Sequence, residues 1–360
     1  MSIAAVDTEI LVAGRMVQLL VHLRDDAGRV GTGECWWGVP AHGAQLPDAP
    51  VRATAAIVET ILAPLCLGRD ERQIAALWYD LTRDGYRWGD GGMLLCALSG
   101  IDLALWDLAG RRQGVPTLEL LGGAVHASLP AYASLPPYGA SAVLPRAGGG
   151  ATLLGEIVRA REAGFTAVKL HETDLGLIER AVRAAGADGP LQVMVDVNGH
   201  LAPSEAAPFA RALQELGVLW LEEPIWPMRD QQGLARLRAE VGLPLAAGEN
   251  EWSLADGARL LESGAVDYYQ PEITKIGGLT PALRHAALAE RHNVAFCPHN
   301  FRLGPSLAAS IQLAFTCPLS AWVELPWVPA SLDFPAGLRL PALHEGRILP
   351  PTAPGLSLPA

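Results

Sequence analysis

The chain has 360 residues, half of them hydrophobic, enough to bury a large core and too many for one ordinary small domain. A net charge of -11 and a pI near 5.3 argue against nucleic acid and anionic membrane as partners. Five scattered cysteines without a CxxC pair, no signal-peptide pattern over residues 1–13 and no apolar run approaching membrane-spanning length point to the cytoplasm.

The first 127 residues read as strands followed by helices. Alternating polarity predicts strands at 3–13, 17–24 and 30–34, and helical patterns begin at Val51, Glu71 and Met93, the order of an α+β capping domain over residues 1–127. Arg15 falls in the first turn. Trp36-Trp37-Gly38 opens a loop that runs through His42, so both loops are expected to close over a ligand. From residue 128 the pattern changes to short apolar runs, at 129–134, 166–171, 192–197, 218–222, 245–248, 266–270, 294–298 and 321–324. Amphipathic stretches such as 153–163, 203–216 and 281–291 lie between them. Eight such units predict an α/β fold, a modified (β/α)8 barrel of the TIM type over residues 128–325. The segment 326–360 is rich in proline and leucine without periodicity, and its leucines need burial, so it is expected to pack back on the capping domain.

Only two of the 27 basic residues are lysines, Lys169 and Lys275. Lys169 lies on the second barrel strand two residues before His171, and side chains two apart on a strand point the same way. A polar residue ends each later strand as well: Asp196, Glu222, Glu249, Glu272, His299 and Glu324. Their spacings of 26, 27, 23, 27 and 25 residues match one β/α unit each, which gathers them at the carboxyl-terminal mouth, where such barrels keep their chemistry. Helix capping accounts for any one of these acids but not for the whole series.

Three consecutive carboxylates in one mouth, Asp196, Glu222 and Glu249, repel one another unless neutralised. A hard divalent cation does this, and all-oxygen ligation selects magnesium over zinc. Salt bridges to arginine are the competing account, weakened because no arginine adjoins these acids in sequence.

The motifs Lys169-x-His171, Asp196-x-Asn198-Gly199, Trp220-Leu221-Glu222-Glu223-Pro224, Gly248-Glu249-Asn250 and Lys275-Ile276-Gly277-Gly278, in this order, resemble the enolase superfamily, mandelate racemase branch. Gly31-Thr32-Gly33-Glu34, the run from Ser99 to Leu108, Gly114-Val115-Pro116 and Leu121-Gly122-Gly123 resemble that family's capping domain. The resemblance implies magnesium on Asp196, Glu222 and Glu249, and abstraction of a proton beside a substrate carboxylate by a lysine or histidine base. This chain departs from the family where members commonly carry Lys-x-Lys, here ending in His171, and where an aspartate usually partners the seventh-strand histidine, here Glu272. Glu272 also occupies the position of the catalytic lysine in another branch, which excludes that branch's cycloisomerase arrangement.

The expected roles follow. Lys169 counters the substrate carboxylate and, by its like charge, keeps His171 neutral as the base. Glu272 favours the imidazolium of His299, the acid; the two roles are exchangeable with substrate stereochemistry. Glu324, if protonated, hydrogen-bonds the substrate carboxylate or the enediolate. Lys275 supports a nearby carboxylate, and Arg15, His42 and Asn198 suit a polyhydroxylated ligand. The leading expectation is dehydration of a small sugar acid to a 2-keto-3-deoxy acid. Racemisation or epimerisation uses the same groups without a leaving group, and a non-catalytic barrel binding an acidic metabolite is the third reading. Symmetric self-association, a homo-oligomer, is expected of such barrels.

Overall fold

The computed structural model describes residues 1–13, 16–36, 49–138, 152–187, 189, 191–327 and 340–357. Alternating side chains make three antiparallel strands, β1 (Ile3–Ala13), β2 (Met16–Asp25) and β3 (Val30–Cys35), neighbours in that order. Leu19, Val21 and Leu23 of β2 face one way, into a core shared with the helix Met93–Gln113. Glycine permits the close approach of strand and helix. A Cβ at Gly31 would run into the carbonyl of Ala104, one at Gly33 into that of Gly100, and one at Gly100 into Cys35 Sγ.

That helix corrects one expectation. Met93–Gln113 and the helical stretch Ala49–Cys66 are both long and apolar enough to cross a membrane by length and composition, contrary to the sequence reading. The apolar window of Met93–Gln113 is 89% buried inside the protein, because the helix packs on the sheet with one side and on the second domain with the other. On that second side Ser99 Oγ donates to Ile273 O at 3.2 Å, Trp106 Nε1 to Thr280 Oγ1 at 3.0 Å, and Thr280 N to Asp102 Oδ2 at 2.9 Å.

Eight strands follow: β4 (Leu129–Ser134), β5 (Ala167–Leu170), β6 (Gln192–Asp196), β7 (Leu221–Glu222), β8 (Leu245–Ala247), β9 (Tyr268–Tyr269), β10 (Ala295–Phe296) and β11 (Val323–Pro326). All pair in parallel, in the order β10-β9-β8-β7-β6-β5-β4-β11. Phe296 N donates to Leu319 O at 2.9 Å and Ala321 N to Phe296 O at 3.0 Å, so β10 meets the segment entering β11 and the sheet closes on itself. The fold is the TIM-type barrel with an α+β cap that the sequence predicts.

Inside the barrel Tyr132, Ala167, Met194, Trp220 and Ala246 form one buried apolar layer, small side chains leaving room for large ones. Two residues further along the same strands stand Ser134, Lys169, Asp196, Glu222 and Gly248. The period of two thus places the polar ladder directly on the apolar plug. A short strand, β12 (Arg347–Ile348), runs antiparallel to β4. Beyond it Leu356 N donates to Asp107 Oδ1 of the long cap helix at 2.6 Å.

Candidate active site

Lys169 is fully buried at the end of β5. Its Nζ lies 2.6 Å from Glu222 Oε1, 2.8 Å from Glu324 Oε1 and 3.6 Å from Asp196 Oδ2. Burial works against the ammonium, but Glu222, Glu324 and Asp196 outweigh it and hold Lys169 charged well above its ordinary range. Lys275 Nζ reaches Glu249 Oε1 and Asn250 Oδ1, each at 3.3 Å, the support to a nearby carboxylate that its position suggested. The counter-charges of these acids are lysines and histidines rather than arginines.

The two histidines stand across the mouth, one after β5 and one after β10. His171 Nδ1 is 2.6 Å from the carbonyl of Leu135 and Nε2 is 3.4 Å from Asp196 Oδ2. A carbonyl only accepts, so Nδ1 carries the hydrogen and Nε2 is the free nitrogen of the neutral ring. His299 Nδ1 is 2.7 Å from Glu272 Oε2 and Nε2 is 2.7 Å from Glu249 Oε2. Burial lowers its basicity, but Glu249, Glu324 and Glu272 together hold His299 well above the ordinary histidine value. The residues Glu272 and His299 also form a parallel backbone bridge, beyond the named ends of β9 and β10.

Two expected charge states are corrected in the metal-free chain. The like charge of Lys169 does push His171 down, as burial does, but the hydrogen bond and charge of Asp196 outweigh both and raise it. The two rings are therefore not driven apart while Asp196 is free to face His171. Glu324 is not kept protonated: burial favours the acid form, but Lys169 and His299 overcome it and hold its carboxyl below the usual range. Its Oε2 accepts from Asn300 N at 3.0 Å. Asn198 is engaged with Asp196, its N donating to Oδ1 at 2.8 Å and its Nδ2 to Oδ2 at 3.2 Å. Arg15 and His42 lie outside the described residues.

Several site residues escaped the sequence reading. Trp220 Nε1 and Gln270 Nε2 both donate to Glu222 Oε2, at 3.1 and 2.8 Å. Counting in twos along each strand from the polar ladder would have found both. Trp36, which opens the loop expected to close over a ligand, was named from sequence but not its partners: its ring centre lies 4.2 Å from Lys275 Nζ and 4.5 Å from the Arg302 guanidinium carbon. Only the tertiary fold brings these together. Gly248, at φ +134°, lets the chain turn after β8; a Cβ there would meet the Tyr269 ring at 2.8 Å.

The donor set fits a hard divalent cation. Asp196, Glu222, Glu223, Glu249, Glu272 and Glu324 are all buried, against two lysines and two histidines. Burial raises Glu222 to about 7 even with Lys169 beside it, and Asp196 and Glu324 repel its charge. Glu223 Oε2 is buried without a hydrogen-bond partner. Among the described residues, however, no three acidic, imidazole or thiol side chains are already gathered as a ligand set, because Lys169, Lys275 and His299 hold the carboxylates in this arrangement.

Comparison with known proteins matches both parts of the chain. Residues 153–359 match the family model "Enolase C-terminal domain-like", and residues 3–122 match "Mandelate racemase / muconate lactonizing enzyme, N-terminal domain". D-galactonate dehydratase of Ralstonia nicotianae is 32% identical, over 89% of this chain and 85% of that protein. The structure of 3,6-anhydro-D-galactonate cycloisomerase from Zobellia galactanivorans superposes with a TM-score of 0.84 at 26% identity, covering 99% and 96% of the two chains. A racemase from Streptomyces coelicolor, solved with bound magnesium, gives 0.78 at 27% identity, covering 99% and 97%. The chain therefore belongs, as an enzyme, to the mandelate racemase subgroup of the enolase superfamily.

Proposed function

We propose that this enzyme removes the α-proton of a carboxylate substrate with the help of magnesium, and that its reaction is dehydration of a sugar acid to a 2-keto-3-deoxy acid. The observation that carries the reading is the pair of differently wired histidines across one mouth, His171 on a backbone carbonyl and His299 on Glu272. The similarity to a galactonate dehydratase supports the substrate class.

Asp196, Glu222 and Glu249 would hold the cation, which supplies positive charge against the second negative charge that develops on the substrate carboxylate. His171 Nε2 takes the α-proton, since its Nδ1 hydrogen is fixed on Leu135. The electron pair released from the C–H bond is first delocalised onto the substrate carboxylate as the enediolate and then returns to form the C2–C3 double bond. The β-hydroxyl leaves with its bonding pair, takes the Nε2 proton of His299 and departs as water. The enol left behind tautomerises to the 2-keto-3-deoxy acid. Glu272 keeps His299 protonated and oriented, and Glu324 with Glu222 fixes the Lys169 ammonium beside the site of developing charge. Asn198, Arg15 and His42 are assigned to the substrate's polar groups. The five cysteines are buried and unpaired, which supports a cytoplasmic setting, and the assembly is proposed to be a homo-oligomer.

The test is incubation of the enzyme and Mg2+ with a library of sugar acids, their lactones and anhydro forms included, read as 2-keto acid formed and as deuterium taken up at the α-carbon from D2O. Keto acid with loss of water supports dehydration. Exchange without keto acid makes the enzyme a racemase or epimerase, the relation to the Streptomyces protein; ring opening without loss of water makes it a cycloisomerase.

A further inference from the structure

Glu223 takes no part in the chemistry proposed above, yet it is only 2% exposed in the mouth of the barrel. It follows Glu222 directly, and on a regular strand it would point to the opposite face. Its φ of +45°, a left-handed conformation that residues other than glycine seldom adopt, breaks that alternation. Of its two carboxylate oxygens, Oε1 receives a long contact from Gly248 N at 3.4 Å and Oε2 has no hydrogen-bond partner. The charges that act on it most are those of Glu249 and Asp196, both repulsive, then the opposing charge of Lys275. A buried carboxylate oxygen left without a donor loses its hydration with nothing in return, and no helix end, arginine or turn in the described residues uses this one.

We propose that Glu223 is a fourth carboxylate of the divalent-cation site, its unpartnered oxygen accepting hydrogens from the water shell of the cation. The proposal rests on the reading that Asp196, Glu222 and Glu249 bind magnesium. Magnesium sheds its water reluctantly and keeps several molecules when bound, and acceptors for those hydrogens are part of what sets affinity. The orphaned oxygen is the observation that points to such a donor.

The experiment is calorimetric titration of the full-length, substrate-free enzyme with MgCl2, for the native chain, Glu223→Gln and Glu222→Gln, paired with thermal unfolding of each in EDTA. Glu223→Gln removes a charge and keeps the shape. Its expected effect is a rise in the Mg2+ dissociation constant of about tenfold or more, with a metal-free Tm equal to or above the native one because the amide keeps the shape and the replaced oxygen had no partner to lose. Glu223→Asp, which keeps the carboxylate, should recover part of the affinity, and it carries the comparison if Glu223→Gln fails to fold. Unchanged affinity in Glu223→Gln overturns the proposal. A lower metal-free Tm with native affinity also overturns it, since that is the signature of a structural residue. Native Mg2+ binding that is indifferent to Glu222→Gln sinks the parent reading of the metal site instead.

Discussion

A single hydrogen position on His171 decides what that side chain can do. With Nδ1 committed to the Leu135 carbonyl at 2.6 Å, the only nitrogen able to accept a proton from substrate is Nε2, which faces the mouth beside Asp196. His299 is built the other way, its Nδ1 on a carboxylate that favours the charged ring. His171→Asn and His299→Asn should each cut 2-keto acid formation by roughly 10²–10⁴ while Mg2+ binding, read by calorimetry, is retained; native turnover in both would refute the assignment. Glu272→Gln tests the acid by pH. Glu272 raises His299, so its removal lowers the pH at which the imidazolium is lost, and the alkaline limb of the kcat/KM profile should move to lower pH. An unmoved limb would take His299 out of the acid's role. At this scale the sequence shows identity and spacing but not charge state. It could pair Glu272 with His299 because both end strands one β/α unit apart. It could not reveal that Asp196, not Lys169, dominates His171 in the metal-free chain, because that depends on which atoms a fold brings within 3.4 Å.

The helix Leu279–His292 begins under a carboxylate from another domain. Thr280 N and Oγ1 both donate to Asp102, at 2.9 and 2.5 Å, and a Cβ at Gly278 would collide with that carboxylate. Burial raises Asp102 to about 7 despite the Thr280 hydrogen bonds. A carboxyl raised above its unfolded value binds its proton more tightly when folded, so its contribution to stability is full below about pH 4 and is lost as pH rises to about 7. Every tenfold gain in proton affinity is worth about 1.4 kcal/mol, so the swing is on the order of a few kcal/mol. Asp102→Asn should flatten this part of the profile when unfolding free energies from urea titrations at pH 5 and pH 8 are compared; equal slopes in both proteins would remove Asp102 as the cause. The barrel strands were legible as elements because the apolar runs recur once per β/α unit and the polar ladder marks their ends. The cap helix Met93–Gln113 was legible as a helix, but not as an element apolar enough to span a membrane. Its sequence is apolar on nearly all sides because it is enclosed on nearly all sides, and enclosure is a tertiary property.

Cap and barrel are two sheets with separate apolar cores, yet the bonds that join them are directional and all but one of the following are fully buried. Ser306 N donates to Glu34 Oε2 at 3.1 Å and Trp78 Nε1 to Gly277 O at 2.8 Å. Gly277 N donates to Ser99 Oγ at 3.0 Å, and Thr280 N to Asp102 Oδ2 at 2.9 Å. Buried polar partners cannot be separated cheaply, because each one stripped of its mate loses about 1–3 kcal/mol. The carboxyl-terminal segment adds a strap: β12 lies on β4, while Gly355 O accepts from Thr117 N and from Gln312 Nε2 at 3.1 and 3.0 Å. Ile348 and Leu356 are buried by it, worth about 1.5–3 kcal/mol each when fully buried. The whole chain should therefore unfold in one cooperative step, with tryptophan fluorescence and far-ultraviolet circular dichroism giving superimposable urea curves. Deleting residues 340–360 removes the strap from both parts at once. It should lower stability by several kcal/mol, and it should separate the two curves if the strap is what couples cap to barrel. Two transitions in the intact chain would show instead that the interface is too weak to join them, and that the mouth opens without the barrel unfolding.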